Sequence, residues 1–186
     1  MIDFKKIDSS WTLFLDRDGV INVEKKNDYV LNWDDFIFMP NVKEALHILN
    51  SIFGTIVIIT NQKCIGKGLL TANELQIIHQ NMLHEITMAG GRVDAIYFCP
   101  DLSDDSPNRK PNAGMALQAK KDFPAINFAT TIMIGNKLSD MQFGRNANIH
   151  TVFAATTNPE TNFPHPLIDF RVNSLIDFAQ HVINSK

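Results

Sequence analysis

The 186-residue chain has only two cysteines, Cys64 and Cys99. That is too few for a disulfide framework and fits a reducing compartment. It has no uninterrupted apolar run of membrane-spanning length, so no bilayer-crossing segment is expected. Positive charge is not in excess: 17 Lys and Arg against 20 Asp and Glu leave a formal net charge of −3. This argues against a general nucleic-acid or acidic-membrane surface, while leaving room for a local basic pocket. Repeats, low-complexity tracts and charge blocks are also absent. Residues 1–10 carry charges at Asp3, Lys5, Lys6 and Asp8 and no apolar core of signal-peptide length. The expectation is a cytoplasmic monomer with no nucleic-acid or membrane partner. Hydrophobic residues at 45% and charged residues at 20% are ordinary for a globular fold, and the length suits one domain over 1–186.

What is present is a set of short apolar runs separated by helical patterns. Thr12–Leu15, Thr55–Ile59, Ala95–Phe98, Thr131–Ile134 and Thr151–Phe153 are continuous rather than alternating, as in strands covered on both faces. Val42, Ala45, Leu46 and Leu49 share one helical face after Pro40. Leu75, Ile78, Met82 and Ile86 share another, behind a capping box of Thr71 and Glu74 and ahead of Gly90-Gly91. Residues 114–123 read as a shorter helix. Leu175, Phe178, Ala179 and Val182 read as a last one with Ser174 as N-cap. Strands alternating with helices give an open parallel α/β sheet, in which ligands bind beyond the carboxyl ends of the strands.

Polar sets stand at four of those ends. Asp16-Arg17-Asp18-Gly19-Val20 follows the first strand: paired carboxylates suit a hard cation, and one beside Mg²⁺ can attack phosphorus. Aspartates there can equally serve only as turn caps. Thr60-Asn61-Gln62, with the Cys64–Gly68 loop behind it, can cradle phosphate oxygens or simply make a polar turn. Cys64 reads as a loop residue. Arg109-Lys110-Pro111 offers charge neutralisation for a phosphoryl group or a solvated basic pair. Gly135-Asn136-Lys137-Leu138-Ser139-Asp140 offers cation ligands or a helix cap. Four such sets, in a fold that gathers strand ends, are far less probable by chance than any one of them.

In that order and spacing, over roughly residues 11–160, the four sets resemble the haloacid dehalogenase superfamily. Within it, Phe14–Asn22, Thr60–Gln62, Arg109–Pro111 and Gly135–Met141 are similar to the heptose bisphosphate phosphatase branch and its histidinol-phosphate phosphatase relatives. The resemblance implies a three-layer, Rossmann-like α/β fold with helices on both faces and no large cap domain. It also implies a magnesium-dependent phosphatase acting on a small phosphorylated metabolite, a sugar phosphate or bisphosphate, through an aspartyl-phosphate. Histidinol phosphate is the alternative substrate, and a catalytically weakened phosphate-ligand binder the alternative class. Carried over, Asp16 is the nucleophile, Asp18 the general acid–base and Lys110 the bridging cation. Thr60 and Asn61 bind the transferring phosphate, with Lys67 and Arg109 toward the rest of the substrate. Asp16, Asp18, Asn136 and Asp140 form the metal set.

Two departures from the branch stand out. Close relatives carry a zinc loop of cysteines and a histidine ahead of Arg-Lys-Pro, whereas Cys99 to Pro111 holds one cysteine and no histidine. No zinc is expected. Relatives also place aspartate where this chain has Asn136, and losing that charge is expected to weaken the Mg²⁺ site.

Overall fold

The computed structural model describes residues 2–186. Each of the five apolar runs is a strand: β1 (Thr12–Leu15), β2 (Thr55–Asn61), β3 (Ala95–Cys99), β4 (Thr131–Gly135) and β5 (His150–Ala154). A sixth, β6 (Phe170–Val172), completes the sheet. The order is β3-β2-β1-β4-β5-β6 and every pairing is parallel. β1 therefore lies in the middle, with β2 and β4 on either side. The polar sets that follow these three strands emerge next to one another.

Continuous apolar runs suit this sheet because successive residues face opposite layers. Leu13, Leu15, Ile56, Ile58, Ile132 and Ile134 enter one core, while Phe14, Val57, Ile59 and Met133 enter the other. The first core is covered by α1 (Val42–Asn50), α3 (Ala72–Met88) and α6 (Leu175–Asn184); the second by α4 (Gly114–Asp122) and α5 (Leu138–Asn146). Fully buried side chains such as Leu46, Leu49 and Phe178 each contribute about 1.5–3 kcal/mol of burial. The architecture is the three-layer, Rossmann-like one expected.

The caps also form. The Thr71 hydroxyl accepts from the Glu74 amide at 3.2 Å while Glu74 Oε2 accepts from the Thr71 amide at 2.8 Å. The Ser174 hydroxyl accepts from the Asp177 amide at 3.3 Å. Cys64 departs from expectation: it lies in the short α2 (Lys63–Gly66) and is fully buried. Burial pushes its thiol up, so it is an inert core residue.

Candidate active site

Lys110 is buried, 4% exposed. Its Nζ donates to Asp16 Oδ1 at 2.7 Å and to the Ile59 carbonyl at 2.9 Å, and pairs with Asp140 Oδ1 at 2.7 Å. β1 delivers Asp16, whose amide still bonds to the Ile134 carbonyl of β4 at 2.9 Å. Asp140 stands in the first turn of α5, where its second oxygen accepts from the Lys137 amide at 3.0 Å. Two buried carboxylates thus share one ammonium. Burial pushes Asp16 up to about 7, Lys110 opposing it and the charges of Asp140 and Asp18 adding to it. For Lys110, burial favours the neutral amine, but Asp140 and Asp16 outweigh it and hold the ammonium.

Asp18 is fixed by four contacts. Arg17 Nη2 donates to both its oxygens at 2.9 and 3.1 Å, Asn22 Nδ2 to Oδ1 at 3.0 Å and Gln62 Nε2 to Oδ2 at 2.9 Å. Burial alone would raise this carboxyl; the Arg17 charge and these hydrogen bonds outweigh it and hold Asp18 below its usual value. Arg17 itself is 1% exposed and reaches His79 of α3, Nη1 to Nε2 at 3.2 Å. A guanidinium only donates, so His79 accepts and is neutral. Burial first, then the Arg17 charge, bring its pKa down to about 3.

The end of β2 is tied into the same site. Gln62 Nε2 also donates to the Thr60 hydroxyl at 2.9 Å. Asn61 exchanges two hydrogen bonds with the Lys110 backbone: Nδ2 to the carbonyl at 3.1 Å, and the Lys110 amide to Oδ1 at 3.0 Å. Asn61 therefore positions the Arg109–Pro111 segment beside β2. Above these groups opens a cleft of about 940 Å³, lined by Asp16, Asp18, Thr60, Asn61, Lys110 and Asp140 at its floor. Lys67 and Arg109 lie farther along its wall.

The family model described as polynucleotide kinase 3 phosphatase matches residues 12–163. The D-glycero-β-D-manno-heptose-1,7-bisphosphate 7-phosphatase of Yersinia pestis is 34% identical over 179 residues, covering 91% of this chain and 94% of that one. The α-specific counterpart from Campylobacter jejuni is 40% identical over 140 residues, 75% of this chain and 79% of that one. The chain belongs to this family of haloacid dehalogenase-superfamily phosphatases. Among solved structures, the D,D-heptose 1,7-bisphosphate phosphatase of B. bronchiseptica, complexed with magnesium and phosphate, superposes with a TM-score of 0.85 at 26% identity. The match covers 95% of this chain and 99% of that one.

In this phosphatase the fourth polar set is divided. Asp140 contacts Lys110, whereas Asn136 is fully buried below the cleft floor. The Asn136 side chain lies over Gly19, whose φ of +88° makes the turn after Asp18; a Cβ on Gly19 would sit 2.1 Å from Asn136 Nδ2. Nδ2 donates to Glu24 Oε2 at 2.9 Å and to the Thr157 hydroxyl, while Oδ1 is buried with no partner. Among the described residues no three His, Cys, Asp or Glu side chains are grouped to hold a metal ion. The donor set nevertheless fits one hard cation: Asp16 and Asp140 share the single charge of Lys110, and Asn136 Oδ1 is an oxygen without a donor.

Arg109 is committed largely to its own loop. Nε bonds Asp104 Oδ1 at 2.9 Å and Nη1 the Asp101 carbonyl at 3.2 Å. Asn112 Nδ2 adds bonds to the carbonyls of Asp104 and Ser106 at 3.0 and 2.9 Å. These hydrogen bonds close the segment between Asp101 and Asn112. Sequence reading missed Gln62, Asn22, Glu24 and Asp104. Gln62 stood inside the Thr-Asn-Gln motif and Asn22 at the end of the first; Glu24 and Asp104 carried no signal.

Proposed function

We propose that this phosphatase hydrolyses a sugar bisphosphate, using Mg²⁺ and an aspartyl-phosphate on Asp16. The observation that carries the mechanism is the Lys110 ammonium 2.7 Å from both Asp16 and Asp140, with Asp18 beside them in one cleft. The substrate class rests on the heptose bisphosphate phosphatases to which the chain is similar.

Thr60, Asn61 and Lys110 receive the phosphate, and an Asp16 oxygen attacks phosphorus. The phosphorus–oxygen bond to the sugar breaks as the new bond to Asp16 forms, and Asp18 gives the leaving alcohol its proton. Asp18 then takes a proton from water, whose oxygen bonds to phosphorus as the bond from phosphorus to Asp16 breaks, releasing phosphate and regenerating the Asp16 carboxylate. The resting Asp18 is the carboxylate, the form that activates water. An anionic phosphate placed against it raises its pKa and favours the protonated form that the first step needs. Asp16, the Asp18 carbonyl and Asn136 Oδ1 would hold Mg²⁺, which supplies positive charge to the phosphoryl oxygens and favours ionised Asp16.

A cytoplasmic monomer remains part of this proposal; among the described residues, no helix is long and apolar enough to cross a membrane. The uncharged Asn136 in the metal set, with no three His, Cys, Asp or Glu side chains grouped to hold an ion among the described residues, favours a second reading, a weakened catalyst that retains its ligand. Phosphate release from an aryl phosphate, a hexose bisphosphate and histidinol phosphate, each across a magnesium titration, separates the readings. Magnesium-dependent release with the bisphosphate preferred is expected. No release at any magnesium concentration, with the bisphosphate still bound, supports the weakened catalyst, and a preference for histidinol phosphate overturns the substrate class.

A further inference from the structure

The cleft wall beyond Lys110 is basic but largely neutralised from within. Every lysine and arginine lining the cleft except Lys67 lies within ion-pair distance of a carboxylate. Lys67 Nζ instead lies over the Tyr29 ring, 5.2 Å from its centroid. Among the neutralising carboxylates Asp104 is distinct. Its side chain is 83% exposed, it stands on the loop between β3 and Pro111, and it serves two cations. Arg109 Nε is 2.9 Å from Asp104 Oδ1 and Lys63 Nζ is 3.9 Å from the same oxygen.

We infer that Asp104 is a specificity-determining residue: its carboxylate occupies the anion position between Arg109 and Lys63 that a second anionic group of the substrate competes for. This rests on the phosphatase reading and deepens it. The carboxylate of Asp104 is ionised at neutral pH, because the Arg109 hydrogen bond and the nearby Lys63 charge both favour that form. It therefore sets a full negative charge against the binding of any substrate that presents anionic groups at both ends. A monophosphate sugar, with nothing charged at its far end, meets a smaller penalty. The loop backbone does not depend on this side chain alone, since Asn112 and Arg109 also hold the carbonyls of Asp104, Ser106 and Asp101.

The test is Asp104→Asn, which keeps an oxygen for Arg109 and removes the charge. The ratio of kcat/KM for a hexose bisphosphate to that for the matching hexose monophosphate should rise roughly fivefold, through KM, and the gain should shrink in high salt. Lys67→Gln should move the ratio the other way. If Asp104 were only a loop staple, the variant would loosen Arg109 and the ratio would fall or stay put; either result overturns the inference. Calorimetric binding of the same two sugars to parent and variant, in EDTA, gives a readout independent of turnover. A parent that releases no phosphate from any substrate defeats the phosphatase reading. Even then, tighter bisphosphate binding by Asp104→Asn upholds the inference and equal binding overturns it.

Discussion

Asn136→Asp places a charge in the proposed cation set, and the structure makes the outcome depend on magnesium. The side chain is fully buried, and its Nδ2 is 2.9 Å from Glu24 Oε2. A carboxylate in its place loses that donor and faces a like charge about 3 Å away, worth ~5 kcal/mol at an effective dielectric constant of 20. The ion pair of Glu24 with Lys137 and proton uptake by the new group relieve part of this. A net destabilisation of about 3 kcal/mol without metal is the expected balance, a fall in Tm of roughly 6–12 °C. With Mg²⁺ the electrostatic contribution of the new carboxylate changes sign and offsets most of that loss. A charge ~4 Å from the cation gains ~4 kcal/mol before desolvation, and ~1.4 kcal/mol net is tenfold in affinity. Metal at a hundredfold its Kd then returns about 2.7 kcal/mol of stability. Thermal melts and phosphate release, each across a magnesium titration, should show the variant less stable than the parent in EDTA. In both assays it should half-saturate at about one-tenth the magnesium. Identical half-saturation in parent and variant would show that Asn136 does not face a cation and would refute the reasoning.

Asp18→Asn should slow turnover by ~10²–10⁴-fold with the fold retained, measured as steady-state phosphate release beside a circular dichroism melt. Stability should fall as pH drops below 6.5, because His79 is held neutral with a pKa near 3 while its unfolded form takes up a proton. The contribution is complete above 6.5 and is lost toward 3, ~2 kcal/mol of it by pH 5. In urea melts His79→Gln, which still accepts from Arg17, should lack that slope. Elemental analysis should find no stoichiometric zinc, given the single cysteine between residues 99 and 111; about one zinc per chain would contradict this.

The fold was legible where pattern and burial coincide. The runs at β1, β2 and β4 are apolar throughout because the layers on both sides are apolar, and the Thr71/Glu74 box marks its helix by chemistry that needs no tertiary context. β6 escaped notice because three residues with Arg171 in the middle make no apolar run. α5 carries Asp140, Gln142 and Arg145 among its few apolar positions, so periodicity barely marks it. The candidate site was legible as four motifs but not as partnerships. Nothing in sequence spacing says that Asp140 meets Lys110 while Asn136 turns toward Glu24 and Gly19. Nor does it say that Asn61 binds the Lys110 backbone across 49 positions. Such pairings depend on where loops settle over the strand ends, and local propensity does not encode that.

The central claim is that Asp16 carries the phosphoryl group. The direct measurement is to quench the enzyme during turnover and locate the modification by peptide mass spectrometry, with Asp16→Asn run alongside. Phosphoryl transfer to the peptide containing Asp16, and its loss together with activity in the variant, is the predicted result. A phosphorylated residue elsewhere, or an Asp16→Asn protein that still releases phosphate at the parent rate, would contradict the account.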